Sequence, residues 1–256
     1  SGKSTYFLQL AEKIINSGVD RQNIVMINFV DERLHFLNKE NLGLVLDVYY
    51  GMFPEKLKEK VYFFFDEIQE IPGWEYFIER TLRSENLEIY ITGSSAKLLS
   101  KEIGTQMRGR SLSWEMFPLS FQEYLGFKDI EQKKMLSHDH KLVVRKVFLG
   151  YWESGGFPEI INLSEEMRVR VLQDYYHSIL YRDIIERYNL GNPKGIMDVA
   201  HYLLSNIGSL YSVNKLTNHM KNRGHKTSRE SIANYLDWFE DTFFLFSVSI
   251  YDASVN

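Results

Sequence analysis

Apolar positions in the first third of the chain recur with two different spacings. Residues 4–17 carry them at helical spacing, and the Asn-Ser-Gly at 16–18 supplies a stop signal. Downstream, short apolar runs of β-type residues alternate with further helical stretches. The predicted strands are 24–30, 61–65 and 87–92, and the predicted helices between them are 42–50 and 74–83. This alternation predicts a parallel α/β sheet.

The pattern changes after Phe117-Pro118-Leu119-Ser120. Residues 121–246 are dominated by helical periodicity with aromatic anchors, and a second break falls near 190–193. A β-type segment, 243–251, is expected to end the chain's last unit. The predicted divisions are an α/β core at 1–125, a helical lid or linker region at 126–190 and a compact, mainly helical unit at 191–256.

Composition narrows the class of protein. The 256 residues are 44% hydrophobic and 25% charged, with 17 Phe and 16 Tyr, so a packed core is expected and disorder is not. A net charge of −4 does not favour a nucleic-acid binder that uses its whole surface. Without cysteine the chain has no disulfide, thiol nucleophile or cysteine-ligated metal. No apolar run approaches the roughly 20 residues that span a bilayer, so we expect no membrane partner.

The chain opens on the end of a phosphate-binding motif. Gly2, Lys3 and Ser4 match the last three positions of the P-loop pattern G-x-x-x-x-G-K-[ST], and an amphipathic helix follows at once. In that loop backbone N–H groups surround phosphate oxygens, the lysine neutralises the β/γ charge and the hydroxyl ligates Mg²⁺. The motif's first glycine would lie upstream of Ser1.

Two acids at the end of the apolar run 61–65 supply the matching half of such a site. Asp66 fits the Walker-B carboxylate that holds Mg²⁺, and Glu67 fits the base that activates the attacking water. An alternative is that the pair only caps a strand and begins the next helix. The combination with Gly-Lys-Ser favours the metal and base roles.

Hydroxyl and guanidinium groups follow the third predicted strand. Ser94 or Ser95 would lie at the carboxyl edge of the sheet and orient water there, or serve as a helix N-cap. Arg108 or Arg110 could reach a γ-phosphate as an arginine finger, or remain a solvated surface residue.

A series of motifs in order resembles one known family, the prokaryotic AAA-type P-loop ATPases that carry a C-terminal region of undefined role. The motifs are Gly2-Lys3-Ser4-Thr5, Phe65-Asp66-Glu67-Ile68-Gln69 with Trp74, Ile91-Thr92-Gly93-Ser94-Ser95, Arg108-Gly109-Arg110, Phe117-Pro118-Leu119-Ser120-Phe121, Gly155-Gly156-Phe157-Pro158-Glu159 and Tyr181-Arg182-Asp183-Ile184.

The resemblance implies a P-loop ATPase core, a helical middle region and a winged-helix-like unit, followed in full-length members by a further domain that can look nuclease-like. It implies ATP and Mg²⁺ as ligands, with Gly2 to Thr5 and Asp66 binding them, and hydrolysis that drives a switch. A cytoplasmic location and a homo-oligomeric assembly are further expectations. The chain is expected to be truncated at both ends relative to the family.

One basic cluster lies in the predicted last unit, between Lys215 and Arg229. Ser212 to Leu216 opens a helix, Arg223-Gly224 closes it and Thr227-Ser228 opens the next, which predicts a helix-turn-helix. Its cations are Lys215, Lys221, Arg223, Lys226 and Arg229.

The function of this helix pair has two interpretations. In a DNA-associated regulator the second helix, through residues 227–234, would face base edges while lysines contact phosphate. Alternatively the unit is a packing or regulatory subdomain with a solvated charged face. A third hypothesis for the whole chain is an interaction scaffold that keeps the ATPase fold without turnover.

Overall fold

The computed structural model describes residues 2–84, 86–93, 111–131, 137–191 and 193–249. The chain forms two compact units, one holding the described residues up to Val169 and the other those from Arg170 onward. Within the described residues no helix combines the length and the apolarity that crossing a lipid bilayer requires.

The first unit contains the predicted parallel sheet. Its strands are β1 (Ile24–Asn28), β2 (Val61–Asp66) and β3 (Leu87–Ile91), and the helices among them are α1 (Gly2–Asn16), α2 (Leu44–Met52) and α3 (Trp74–Ser84). The strand order is β1-β2-β3 with both pairs parallel. Asn28 lies opposite Asp66, and Phe65 lies opposite Ile91. The α/β prediction is confirmed.

The central strand β2 is buried on both faces, which explains its unbroken apolar run. On one face Phe63 and Phe65 pack in a cluster with Trp74 and Ile78 of α3. On the other, Phe64 meets Phe7 of α1 edge to face with ring centroids 5.2 Å apart. Because helices cover both faces, the strand has no solvent side on which polar residues would be favoured.

A buried lysine joins the start of β1 to the approach to β2. Lys56 is 5% exposed, and its ammonium group lies 2.9 Å from the carboxylate of Asp20 and 3.0 Å from that of Glu59. The Asn23 amide donates to the same Glu59 oxygen at 2.8 Å. The hydrogen bond from Lys56 lowers the pKa of Asp20, and those from Asn23 and Lys56 lower the pKa of Glu59.

In unit 1 the segments 117–120 and 155–158 cross at the backbone. The Leu119 N–H donates to the Gly156 carbonyl at 2.7 Å, and the Tyr151 hydroxyl donates to the Leu119 carbonyl at 2.9 Å. A Cβ at position 156 would lie 2.1 Å from the Leu119 carbonyl oxygen. The preceding residue, Gly155, has φ 76°, which favours glycine. The Gly-Gly-Phe-Pro motif therefore has a packing role.

Apart from short 3-10 helices, the remaining described helices are α4 (Phe121–Phe127), α5 (His138–Ser154), α6 (Glu165–Ser178), a π-helical stretch (Ile179–Glu186), α7 (Pro193–Leu204), α8 (Val213–Asn222) and α9 (Arg229–Asp241). Local signals set several of their ends. Ser120 and Glu123 form a reciprocal capping box at the start of α4. Ser212 and Ser228 cap α8 and α9 through their side chains, so the predicted helix-turn-helix bounds are confirmed.

The predicted strand 243–251 is wrong over its described part, because residues 243–249 form no strand. The Phe244 N–H donates to the Phe239 carbonyl at 2.9 Å and the two rings pack 5.2 Å apart, so the chain folds back on α9. A β-type run becomes a strand only when another strand pairs with it. Among the described residues from Arg170 onward, regular structure is helical, and likeness to a winged helix stays a prediction.

We expect Gly156→Ala to lower the free energy of unfolding by about 2 kcal/mol, because the new methyl group overlaps a backbone carbonyl that cannot rotate away. Gly150→Ala, in the middle of α5 with open space around its Cβ, is the control and should be neutral or stabilise by up to about 1 kcal/mol. Urea denaturation of both variants checks this. Equal stability of the two would contradict the crossing.

We expect Lys56→Met to destabilise the protein near neutral pH and to matter less in acid. Lys56 lowers the folded-state pKa of Asp20 and Glu59, so its contribution is present above their ordinary values of 3.8 and 4.5 and is lost as pH falls below them. Denaturation midpoints at pH 6 and pH 3 measure the difference from wild type. Exposed Lys58→Met is the control, and a difference that does not shrink in acid would argue against the ion pairs.

Candidate functional site

Three structural elements bring polar groups to the carboxyl edge of the sheet. β2 ends at Asp66 and β3 ends at Ile91, with Thr92 next in the chain, while the first turn of α1 carries Ser4. Parallel strands end at the same edge, and open α/β sheets bind ligands outside that edge. The site is therefore built from residues far apart in sequence.

The central contact joins Ser4 to Asp66. The Ser4 hydroxyl donates to Oδ2 of Asp66 at 2.6 Å across 62 positions of sequence. Asp66 is only 8% exposed, and its other oxygen, Oδ1, accepts from the Thr92 hydroxyl. A carboxylate removed from water is costly unless it is hydrogen-bonded, so both hydroxyls stabilise Asp66 in place.

Thr92 is the site residue that sequence reasoning missed. It is buried, its hydroxyl donates to Asp66, and the same oxygen accepts the Glu67 backbone N–H at 3.3 Å. The sequence predicts a hydroxyl role for Ser94 or Ser95 instead. The available signal was that Thr92 directly follows a β-type run, where the carboxyl edge begins.

Glu67 has a left-handed backbone, with φ 55° and ψ 42°. For a residue other than glycine this conformation costs about 1–2 kcal/mol, so surrounding contacts must hold it. The Ile68 N–H donates to the Thr92 carbonyl at 3.4 Å, and the Gln69 amide donates to Oε2 of Glu67 at 2.6 Å. These hydrogen bonds hold the backbone and the half-buried carboxylate of Glu67, the residue that follows Asp66 in the chain.

The oxygen atoms of Ser4 and Asp66 fit a shared magnesium ion. Neighbouring oxygen ligands of octahedral Mg²⁺ lie about 3 Å apart, and this ion is usually held by one or two protein ligands, with water and phosphate completing the shell. The described residues hold no group of three or more His, Asp or Glu side chains suited to a metal. A magnesium ion held by Ser4 and Asp66 would have two protein ligands, and water and phosphate would complete its shell.

The first turn of α1 fits a phosphate group. The first four backbone N–H groups of a helix have no partner within it, and the helix dipole favours an anion there. Lys3 is half-buried in this turn and, among the described residues, makes no ion pair. Gly2 lies against Met116, whose sulfur would be 3.3 Å from an added Cβ, and Thr5 is exposed.

The structure brings some of the predicted residues into contact and leaves others apart. Ser4 and Asp66 are in direct contact, Gly2, Lys3 and Thr5 share the helical turn with Ser4, and Glu67 follows Asp66 in a constrained turn. Their chemical roles stay predictions. Four further candidates lie outside the described residues, namely Ser94, Ser95, Arg108 and Arg110.

We expect Thr92→Val to destabilise the protein by about 1–3 kcal/mol, because it removes a hydrogen bond from a buried carboxylate without changing side-chain volume much. Thr92→Ser retains the hydroxyl and should recover most of the loss. Urea denaturation of the two variants beside wild type is the measurement. A valine variant as stable as wild type would show that the Thr92 hydroxyl does not support Asp66.

Comparisons with known proteins identify a similar domain in each part of the chain. Residues 1–125 match the family described as "AAA domain", and residues 145–256 match a domain of unknown function (DUF8612). An uncharacterized protein of Methanocaldococcus jannaschii is 38% identical over 246 residues, which cover 96% of this chain and 54% of the relative. An uncharacterized protein of Haemophilus influenzae is 30% identical over 255 residues, covering 98% of this chain and 60% of the relative.

The chain thus spans little more than half the length of these curated relatives. No solved structure matches it significantly. The three-stranded parallel sheet with its helices is consistent with the core of an AAA domain. Residues 1–125 of this chain therefore form a domain of the AAA type, and residues 145–256 match a domain of unknown function.

Proposed function

We propose that this chain binds ATP with Mg²⁺ at the contact between Ser4 and Asp66, and that the full-length protein hydrolyses the nucleotide. The observation that carries the proposal is the 2.6 Å hydrogen bond between these side chains. If the two acids only capped the strand, Asp66 would not need a partner from the Gly-Lys-Ser turn. Here the hydroxyl of a Gly-Lys-Ser turn and the acid meet.

The phosphate groups would lie at the first turn of α1. Lys3 would neutralise charge on the β- and γ-phosphates, while backbone N–H groups of residues 2–5 donate to phosphate oxygens. Ser4 and Asp66 would hold Mg²⁺, which when bound offsets the negative charge that develops during phosphoryl transfer. Asp66 is kept in place for this role by Thr92.

Glu67 would accept a proton from the attacking water. Its carboxylate is oriented by Gln69 at 2.6 Å and its backbone by Thr92 at 3.3 Å. General bases of this type contribute roughly 10²–10⁴ in rate. Ser94 as a sensor of the γ-phosphate and Arg108 or Arg110 as a finger remain part of the proposal.

ATP turnover would make the protein a nucleotide-driven switch. The chain covers 54% of the length of one relative and 60% of the other. The process that such a switch would serve is therefore a property of the full-length protein. A cytoplasmic location and homo-oligomeric assembly also stay predictions. The competing hypothesis is a scaffold that keeps this site without turnover, and the Glu67 carboxylate discriminates between the two.

We expect Glu67→Gln in the full-length protein to lower ATP hydrolysis at least about 100-fold while nucleotide affinity stays within a few-fold of wild type, because glutamine keeps the shape but cannot take a proton. Glu70→Gln, an exposed acid three residues on, is the matched control and should change neither. Phosphate release and the binding of a fluorescent ATP analogue are the measurements.

Two outcomes would contradict the proposal. Nucleotide binding that survives Lys3→Ala and Asp66→Asn unchanged would place the site elsewhere. Wild-type protein that binds ATP but turns over no faster than Glu67→Gln would support the scaffold hypothesis.

A further inference from the structure

A segment of strong positive charge lies in the second unit. It comprises residues 213–229, which run from α8 through the turn into α9. It holds five lysine or arginine residues and no carboxylate, although the whole chain has a net charge of −4. All five are exposed, and among the described residues none forms an ion pair. They are Lys215, Lys221, Arg223, Lys226 and Arg229.

The exposed face of α8 is polar and lacks acids. Leu216, Thr217 and Met220 form the buried face of this helix. At about 100° per residue, the remaining positions occupy the opposite side. These exposed positions are Asn214, Lys215, Asn218, Lys221 and Asn222. Amide and ammonium groups therefore cover the face of α8 that does not pack in the core.

The turn that follows is held in a defined conformation. Gly224 has φ 87°, its N–H donates to the Lys221 carbonyl at 2.9 Å, and the His225 N–H donates to the Met220 carbonyl at 3.1 Å. These are the two hydrogen bonds of a Schellman motif. The His225 ring also contacts the carboxylate of Asp198 on α7 at 2.7 Å. Cations beside and within this turn are therefore presented by a fixed backbone.

The second helix does not suit the base-reading role that the sequence analysis gave to residues 227–234. Beyond Arg229 its exposed positions include Glu230 and Asp237, and carboxylates repel phosphate. Its apolar side is committed to the core, where Ile232 and Phe239 are fully buried. Four of the five cations lie on α8 and the turn, and the fifth, Arg229, is the first residue of α9; this placement favours contact with the phosphate backbone over sequence readout.

Other polyanionic partners fit this surface less well. Within α8 and the turn no large apolar side chain is exposed, so this surface lacks the apolar groups that a membrane-binding helix inserts; the exposed Leu210, Tyr211 and Phe246 lie outside it in sequence. Single-stranded nucleic acids are bound largely by stacking on exposed aromatics. Between residues 213 and 245 no aromatic ring is exposed, Trp238 stacks on Tyr188 at 4.4 Å and Phe239 is buried.

We propose that the surface formed by α8, the 223–228 turn and Arg229 binds the phosphate backbone of double-stranded DNA without reading its sequence. Each lysine or arginine that contacts a phosphate releases a condensed counterion, so affinity falls steeply with salt. The inference does not rest on nucleotide binding, because no residue of the Ser4–Asp66 site takes part in it.

The test measures binding of the full-length protein to a fluorescent 20-base-pair DNA duplex by anisotropy over a series of salt concentrations, without ATP. Lys221→Glu combined with Arg223→Glu should weaken binding at least tenfold and lower the salt slope by about 1.8, since each phosphate contact contributes about 0.9. Duplexes of unrelated sequence should bind equally.

Two controls separate a local site from net charge and from misfolding. Lys13→Glu with Arg21→Glu makes the same change in net charge at exposed positions in the first unit and should leave affinity within about twofold. Lys221→Arg with Arg223→Lys keeps the charge and should bind as wild type does.

The proposal is overturned if the control reversal weakens binding as much as the α8 reversal, or if affinity does not depend on salt. Equal or tighter binding to single-stranded RNA, to an RNA duplex or to anionic vesicles would overturn the assignment to DNA. Loss of duplex binding leaves ATP hydrolysis untouched, so this proposal and the proposed function fail independently.

Discussion

The hydrogen bond between Ser4 and Asp66 is the interaction on which the site depends, and it exists because α1 packs across β2. Phe7 of α1 meets Phe64 of β2 edge to face, and this apolar contact fixes the helix over the strand. The first turn of α1 is then carried to the strand's carboxyl end, where Ser4 reaches the acid. Burial of a few aromatic rings thus sets the position of polar groups that would otherwise have no reason to meet.

A buried carboxylate and a strained backbone lie next to each other at that edge. Asp66 is stable there because two hydroxyls donate to it, and one of them, Thr92, also holds the left-handed Glu67. Such strain persists only where surrounding contacts over-determine it, and it is concentrated at functional sites. The structure therefore holds Glu67 in a strained conformation, as its proposed role as a general base would require.

The second unit packs an apolar cluster and leaves its local group of cations outside that cluster. Its helices bury Ile196, Leu216, Ile232 and Phe239 in one cluster, and the cations of 213–229 remain outside it. Because the aromatics are used for packing, the chemistry left on the α8 surface is positive charge and amide groups. An acidic chain can in this way carry a local surface suited to a polyanion, which net charge alone would not reveal.

The sequence by itself determined the elements whose signals are local. Strand and helix alternation follows from side-chain spacing, the bounds of α8 and α9 follow from Ser212, Gly224 and Ser228, and the phosphate-loop and acid motifs were readable as motifs. Only the tertiary structure decided that Thr92 supports Asp66, that Gly156 crosses Leu119 and that residues 243–249 form no strand. The first two depend on a partner that is distant in sequence. The third depends on the absence of a pairing strand among the described residues. Periodicity and propensity describe a residue's neighbours along the chain, whereas hydrogen bonds across the sheet edge are set by how the elements pack.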